Sequence, residues 1–129
     1  MNDTVTIHLV TWNGAIWLPG CLRSLHEQRY IHWKLCAFDN GSTDGARQLF
    51  ETWLADHPGT LTVSSENLGF SVAHNRLIRA NSSPYVFILN QDVVLEPGYL
   101  GTLMSELEAR PSVGSASGLM LRLEGSGQT

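Results

Sequence analysis

The run Tyr85-Val-Phe-Ile-Leu89 is apolar at every position, so both of its faces must be covered if it is extended. Half-exposed antiparallel strands alternate apolar with polar residues, whereas a strand buried on both sides belongs to a parallel sheet clothed by helices. The run ends at Asn90-Gln-Asp92, which sets two oxygen-bearing side chains at a strand's carboxyl end. Open α/β sheets hold their ligands outside that end. On extended backbone, residues i and i+2 point the same way, so Asn90 and Asp92 are expected to face one ion or one diphosphate. Hard cations such as Mg²⁺ take oxygen ligands and share them between a carboxylate and substrate phosphates. The competing reading is a strand closed by a polar turn.

The remaining sequence repeats the strand–helix pattern. Val5 to Val10 form an apolar run that stops at Thr11-Trp12-Asn13-Gly14. Leu18, Leu22 and Leu25, with Trp17 and Cys21 beside them, predict a helix over about residues 15–27. Trp33 to Phe38 make a second strand, ended by Asp39-Asn-Gly-Ser-Thr-Asp44-Gly. Ser42 or Thr43 is expected to N-cap the next helix, whose stripe is Ala46, Leu49, Phe50, Trp53 and Leu54. Thr60 to Ser64 give a third strand, and Phe70, Ala73, Leu77 and Ala80 one side of a third helix. Tyr85 to Leu89 is the fourth strand. Pro97 suits the first turn of a helix striped by Leu100, Leu103, Met104 and Leu107. Val113 to Leu121 is read as a fifth strand, and residues 122–129 as a flexible tail. Alternating strands and helices imply an α/β fold with a mostly parallel sheet.

With 129 residues, the chain has the length of one domain. Its 43% hydrophobic and 16% charged residues suit a soluble globular protein. A net charge of -4, with basic residues scattered except for Arg76 and Arg79, argues against a nucleic-acid partner. Cys21 and Cys36 lack metal-type spacing and lie in apolar segments, so both are expected to be buried, reduced thiols in a reducing compartment. No basic leader and apolar run precede Val5, and no apolar stretch approaches the roughly 20 residues that span a bilayer. A cytoplasmic location is expected.

Four polar segments, at 11–13, 39–44, 67–75 and 90–92, adjoin expected strands. In a parallel sheet, Thr11, Asp39 and Asp92 should gather on one edge, because they follow strands one, two and four. Asp39 stands where nucleotide-binding α/β folds place an acceptor for a ribose hydroxyl or base N–H, although Asp before Gly also caps its own turn. Asp44 could pair with Arg47 or cap a helix. Neither G-x-G-x-x-G after the first strand nor G-x-x-x-x-G-K-[ST] occurs, so dinucleotide and P-loop sites lack their phosphate loops. A divalent ion at Asp92 could neutralise a diphosphate instead, as could N–H groups near Phe70 and Ser71. His74 and Asn75, early in the third helix, could reach the same edge. His8, His26, His32 and His57 show no ligand spacing and read as structural or solvated. No serine has the nucleophile-elbow pattern of a hydrolase.

Four segments in order carry a specific resemblance: Val5-Thr-Ile-His-Leu-Val-Thr11-Trp12-Asn13, Phe38-Asp39-Asn-Gly-Ser-Thr-Asp44-Gly, Glu66-Asn67-Leu-Gly69-Phe70 and Leu89-Asn90-Gln-Asp92-Val. Together, over about residues 4–121, the chain resembles an inverting family 2 glycosyltransferase. That resemblance implies the Rossmann-like nucleotide-binding half of a GT-A fold, a nucleotide-diphospho-sugar donor and Mg²⁺ or Mn²⁺. It implies that Thr11, Trp12 and Asn13 line the nucleotide pocket and that Asp39 contacts the base. Asn67, Gly69 and Asn75 would shape the wall beside the ribose and diphosphate, Asn90 would join the donor site, and Asp92 would bind the metal. Asn90 stands where many members have Asp, a variation familiar in rhamnosyltransferase-like relatives that hints at a dTDP-sugar.

Family 2 catalytic domains continue well past residue 121, and that later part carries the acceptor site and the general base. Glu106 and Glu108 fall on an amphipathic helix and are not convincing bases, so no catalytic residue is assigned within this chain. The expectation is a donor-binding half, inactive alone, that serves transfer from a UDP-, dTDP- or GDP-sugar to a saccharide or lipid-linked acceptor in polysaccharide biosynthesis. Peripheral membrane association through missing regions and homodimerisation through uncovered apolar surface are compatible with it. Two other classes compete. One is a non-catalytic nucleotide-binding or interaction module of the same fold; the other is a nucleotidyltransferase, which would show a Gly-rich, basic loop where Thr11-Trp-Asn-Gly stands.

Overall fold

The computed structural model describes residues 5–119 and 121. Four strands and four helices alternate: β1 (Val5–Thr11), α1 (Leu18–His26), β2 (Trp33–Asp39), α2 (Ala46–Leu54), β3 (Gly59–Val63), α3 (Phe70–Ala80), β4 (Tyr85–Asn90) and α4 (Tyr99–Ala109). The sheet is parallel throughout, in the order β3-β2-β1-β4. The chain winds outward from β1 through β2 to β3, then returns to place β4 on β1's other side. Strand order therefore reverses between β1 and β4, and at such a point the loops part to leave a crevice.

Both faces of β1 are buried, although Thr6 and His8 interrupt its apolar residues. Val5, Ile7 and Leu9 pack with Leu35 and Ala37 of β2 against Leu18, Leu22 and Leu25 of α1 and Phe50 of α2. Leu95, Leu100 and Met104 extend this core to α4. Among the described residues α3 is the only helix on the opposite face, and its Ala73 and Leu77 meet Phe38, Val10 and Cys36. A single helix does not reach across the sheet, so Val86 and Ile88 of β4 stay exposed, and the run Tyr85–Leu89, expected to be buried on both faces, is covered on only one.

Several sequence expectations need correction. Residues 113–119 contain no strand; residue 120 and the tail 122–129 lie outside the described residues. Gly45, not Ser42 or Thr43, occupies the N-cap of α2. Pro97 precedes the N-cap residue Gly98 instead of entering the first turn of α4. Trp17, Phe70 and Ala80 lie on the solvent side of their helices, because a stripe drawn from spacing alone does not say where neighbouring helices stop. Cys21 and Cys36 are free thiols, but Cys36 is only half-buried.

His8 of β1 and His74 of α3 face each other under α3, buried, with no hydrogen-bond partner at either ring nitrogen. Burial lowers the pKa of both from the usual 6.5, and the His74 charge adds to the effect on His8. Below about pH 6.5 the unfolded chain thus binds more protons than the folded one. Stability is therefore greatest above that value and falls as the pH drops toward the folded-state pKa values. The denaturant midpoint is expected to drop between about pH 7 and about pH 5, and His74→Leu to remove roughly half of that slope. A slope unchanged in His74→Leu would locate the proton linkage elsewhere.

Candidate functional site

The carboxyl edge of the sheet collects the polar segments. Thr11 ends β1 directly beside Asp39, which ends β2, and Asn90 ends β4 beside Val10. Parallel register thus brings together residues 28 and 80 positions apart in the chain. Asp39 is 1% exposed, and its Oδ1 accepts the Ser42 N–H at 3.2 Å. Its carboxylate caps its own turn, and its backbone carbonyl accepts the Ser64 N–H at 2.9 Å.

The loops after β1 and β2 are tied to each other. Asn13 adopts a left-handed backbone with φ of 51°, which Asn tolerates better than most residues. Its Oδ1 accepts the Thr43 N–H at 2.8 Å, while its own N–H is donated to Ser42 Oγ at 2.9 Å. Asp44 adds a third tie, accepting Ala15 N–H on Oδ2 at 2.9 Å and Ala46 N–H on Oδ1 at 3.1 Å. Ser42 and Thr43 are therefore spent on the neighbouring loop, which explains why neither caps α2. Trp12 projects from this loop and is 52% exposed.

Asn40 ties in the third loop. It is 2% exposed; its Nδ2 donates to the Gly69 carbonyl at 3.1 Å and its Oδ1 accepts the Leu68 N–H at 2.9 Å. Gly41 makes this approach possible: φ is +84°, and a Cβ there would lie 2.8 Å from the Glu66 carbonyl carbon. Asn67 Oδ1 accepts the Gly69 N–H at 2.8 Å, shaping the turn into α3. Asn67, Gly69 and Asn75 are all exposed, whereas His74 is buried below the rim. A side chain that serves an N–H and a carbonyl 28 and 29 residues away has no local signature in Asn40-Gly41.

Asn90 and Asp92 do not share one direction. β4 stops at Asn90, and residues 90–93 form a turn closed by Val93 N–H donating to the Asn90 carbonyl at 3.2 Å. The alternation of extended backbone ends there. Asn90 lies on the α3 side, as Val10 does, while Asp92 is exposed and acts on Cys21 of α1. Burial first, and the Asp92 charge second, push the Cys21 thiol up to about 12. A thiol so raised is no nucleophile near neutral pH.

Among the described residues, no cluster of three or more His, Cys, Asp and Glu side chains is placed to hold a metal. The exposed Asp92 carboxylate is an oxygen donor that suits a hard cation completed by substrate phosphates and water. An apolar groove of about 420 Å³ between α1 and α2, lined by Leu22, Leu49, Trp53 and His57, touches none of these residues. A second of about 330 Å³ follows the free edge of β4 and includes Asn90.

Fold comparison sets the domain among GT-A glycosyltransferases. The mannosyltransferase PcManGT from Pyrobaculum calidifontis, solved in complex with GDP-Man and Mn²⁺, superposes with a TM-score of 0.80 at 27% identity, over 88% of this chain and 34% of that one. S. aureus TarS in complex with UDP-GlcNAc has the same fold, with a TM-score of 0.78 at 16% identity over 93% of this chain and 37% of that one. Residues 6–127 match the sequence profile described as Glycosyl transferase family 2, and the chain belongs to that family. A chondroitin synthase of Escherichia coli is 28% identical over 102 residues, which make up 79% of this chain and 15% of that protein. An uncharacterized glycosyltransferase of the same species, YibD, is 26% identical over 107 residues, 81% of this chain and 31% of that one. The chain thus spans about a third or less of these curated relatives. No helix among the described residues is long and apolar enough to cross a membrane.

Replacing Asn40 tests how the rim is held. Asn40→Ala leaves a Leu68 N–H without its acceptor and is expected to cost about 1–3 kcal/mol in urea unfolding, with Asn40→Asp losing less because it keeps the acceptor. Equal stability of Asn40→Ala and the parent would show that the loops do not depend on this residue.

Proposed function

We propose that this chain is the donor-binding part of a glycosyltransferase that takes a nucleotide-diphospho-sugar and passes the sugar to an acceptor hydroxyl with inversion. The observation that carries the proposal is the gathering of Thr11, Asp39 and the 90–92 segment on one edge, at the reversal of strand order, in a family 2 chain. Asp39, held rigid by its own turn, contacts the base; Trp12 and Asn13 border the nucleotide beside Thr11. Asn67, Gly69 and Asn75 form the wall along the ribose and diphosphate, with Asn90 at the floor. Asp92 holds Mg²⁺ or Mn²⁺, which when bound offsets the charge of the leaving diphosphate. Every other part played by this chain is binding and orientation.

No residue here is assigned as the general base that deprotonates the acceptor. Glu106, unconvincing as a base from its sequence position, lies 3.2 Å from Arg110 on the exposed side of α4. The isolated chain is accordingly proposed to bind donor without transferring it. The proposed role is cytoplasmic and lies in polysaccharide assembly, with a saccharide or lipid-linked acceptor; the likeness to a chondroitin synthase supports the polysaccharide part.

Calorimetric titration with UDP, GDP and dTDP is the direct test. One of the three is expected to bind at least about tenfold more tightly with Mn²⁺ than with a chelator, roughly 1.4 kcal/mol. Asp92→Ala should remove that difference without lowering the melting temperature. Binding that ignores Mn²⁺ throughout would favour a nucleotide-binding module without transferase chemistry.

A further inference from the structure

Gln91 lies between two residues already given roles, and its side chain takes a direction of its own. Thr11, 1% exposed, donates its hydroxyl proton to the Gln91 Oε1. This hydrogen bond joins the turn after β4 to the last residue of β1, so it spans the crevice where strand order reverses. Gly14 leaves the room for it: a Cβ there would stand 2.0 Å from Gln91 Oε1 and 2.6 Å from Thr11 Oγ1. Among the described residues, no other side chain of the turn makes a hydrogen bond to β1. Adjacent residues in a tight turn diverge, and here Gln91 folds inward while Asp92 stays exposed.

We propose that Gln91 is a positioning residue: its carboxamide, latched to Thr11 above Gly14, fixes the 90–93 turn and so aims Asp92 at the cation on a donor diphosphate. The latch rests on the functional reading for its purpose but not for its existence. Without it, among the described residues, the hydrogen bonds left to the turn are the Val93–Asn90 bond and a long contact of 3.7 Å from Cys21 Sγ to the Asn90 carbonyl, beside the packing of Val93 against the core. Asp92 would then sample many directions, and a carboxylate held loosely loses affinity for its ion. Thr11, on this account, helps the ligand through Gln91, since its only hydroxyl proton is already committed.

Two measurements test it. The first is amide hydrogen exchange, without any ligand, at Val93, whose N–H is donated to the Asn90 carbonyl. Gln91→Met, which keeps length but lacks an acceptor, and Gly14→Ala, which pushes the carboxamide away, should each speed exchange there about tenfold or more while strands β1 and β2 stay protected. Unchanged exchange in both variants would refute the latch. The second is nucleoside diphosphate affinity with Mn²⁺ and with chelator. Gln91→Met should cut the Mn²⁺-dependent gain by about 10–100-fold and leave the chelator value alone. Thr11→Val should cut the same gain, and the double variant should lose no more than either alone. Fully additive losses, or a Gln91→Met loss that persists in chelator, would make Gln91 a ligand contact and overturn the proposal. Faster exchange in a protein whose parent shows no Mn²⁺-dependent gain would uphold the latch and count against the donor-binding function instead.

Discussion

Everything on the functional edge depends on the position of β1. It is hydrogen-bonded on both sides, to β2 and to β4, and buried on both faces. A parallel strand in that position delivers its chain to the same edge as its neighbours, so the loops after β1, β2 and β4 emerge side by side. Loops that crowd together must satisfy one another's amides, because an unpaired buried N–H costs about as much as a lost hydrogen bond. Asn13, Asn40 and Asp44 do this work for the loops after β1, β2 and β3. The rim is thereby ordered before any ligand arrives, which lowers the entropy that binding must overcome.

Two different uses of polar side chains meet in this small domain. On the rim, nearly every buried polar group has a partner, while Asn75, Asn90 and Asp92 are exposed and Asn67, also exposed, accepts the Gly69 N–H. Beneath α3, His8 and His74 are buried with no partner and held neutral, a cost that the surrounding apolar packing offsets. The uneven cover of the sheet follows from the same economy of elements. Among the described residues three helices pack on one face and one on the other, so Val86 and Ile88 of β4 remain exposed.

Much of the fold was legible in the sequence. Apolar runs of strand length, each followed by a helical stripe, foretold all four strands and all four helices to within a few residues. The fifth strand failed because Gly114, Ser115, Ser117 and Gly118 give little side-chain area to bury, and the segment finds no pairing partner. The gathering of Thr11 and Asp39 followed from topology alone. Gln91, Asn40 and Gly14 were not found. Nothing in a lone Gln, or in Asn-Gly, distinguishes a side chain that crosses between loops from one that waves in solvent.

What the amino-acid order determined by itself was the alternation of elements, the parallel sheet and the edge on which polar residues collect, since periodicity and burial are local properties repeated along the chain. What only the tertiary structure decided was direction: that Asn90 and Asp92 part at a turn, that Ser42 and Thr43 serve Asn13, and that Gln91 reaches back to Thr11. Those outcomes depend on which loop lies beside which, and hydrogen bonds between residues 29 to 80 positions apart leave no trace in any window of sequence.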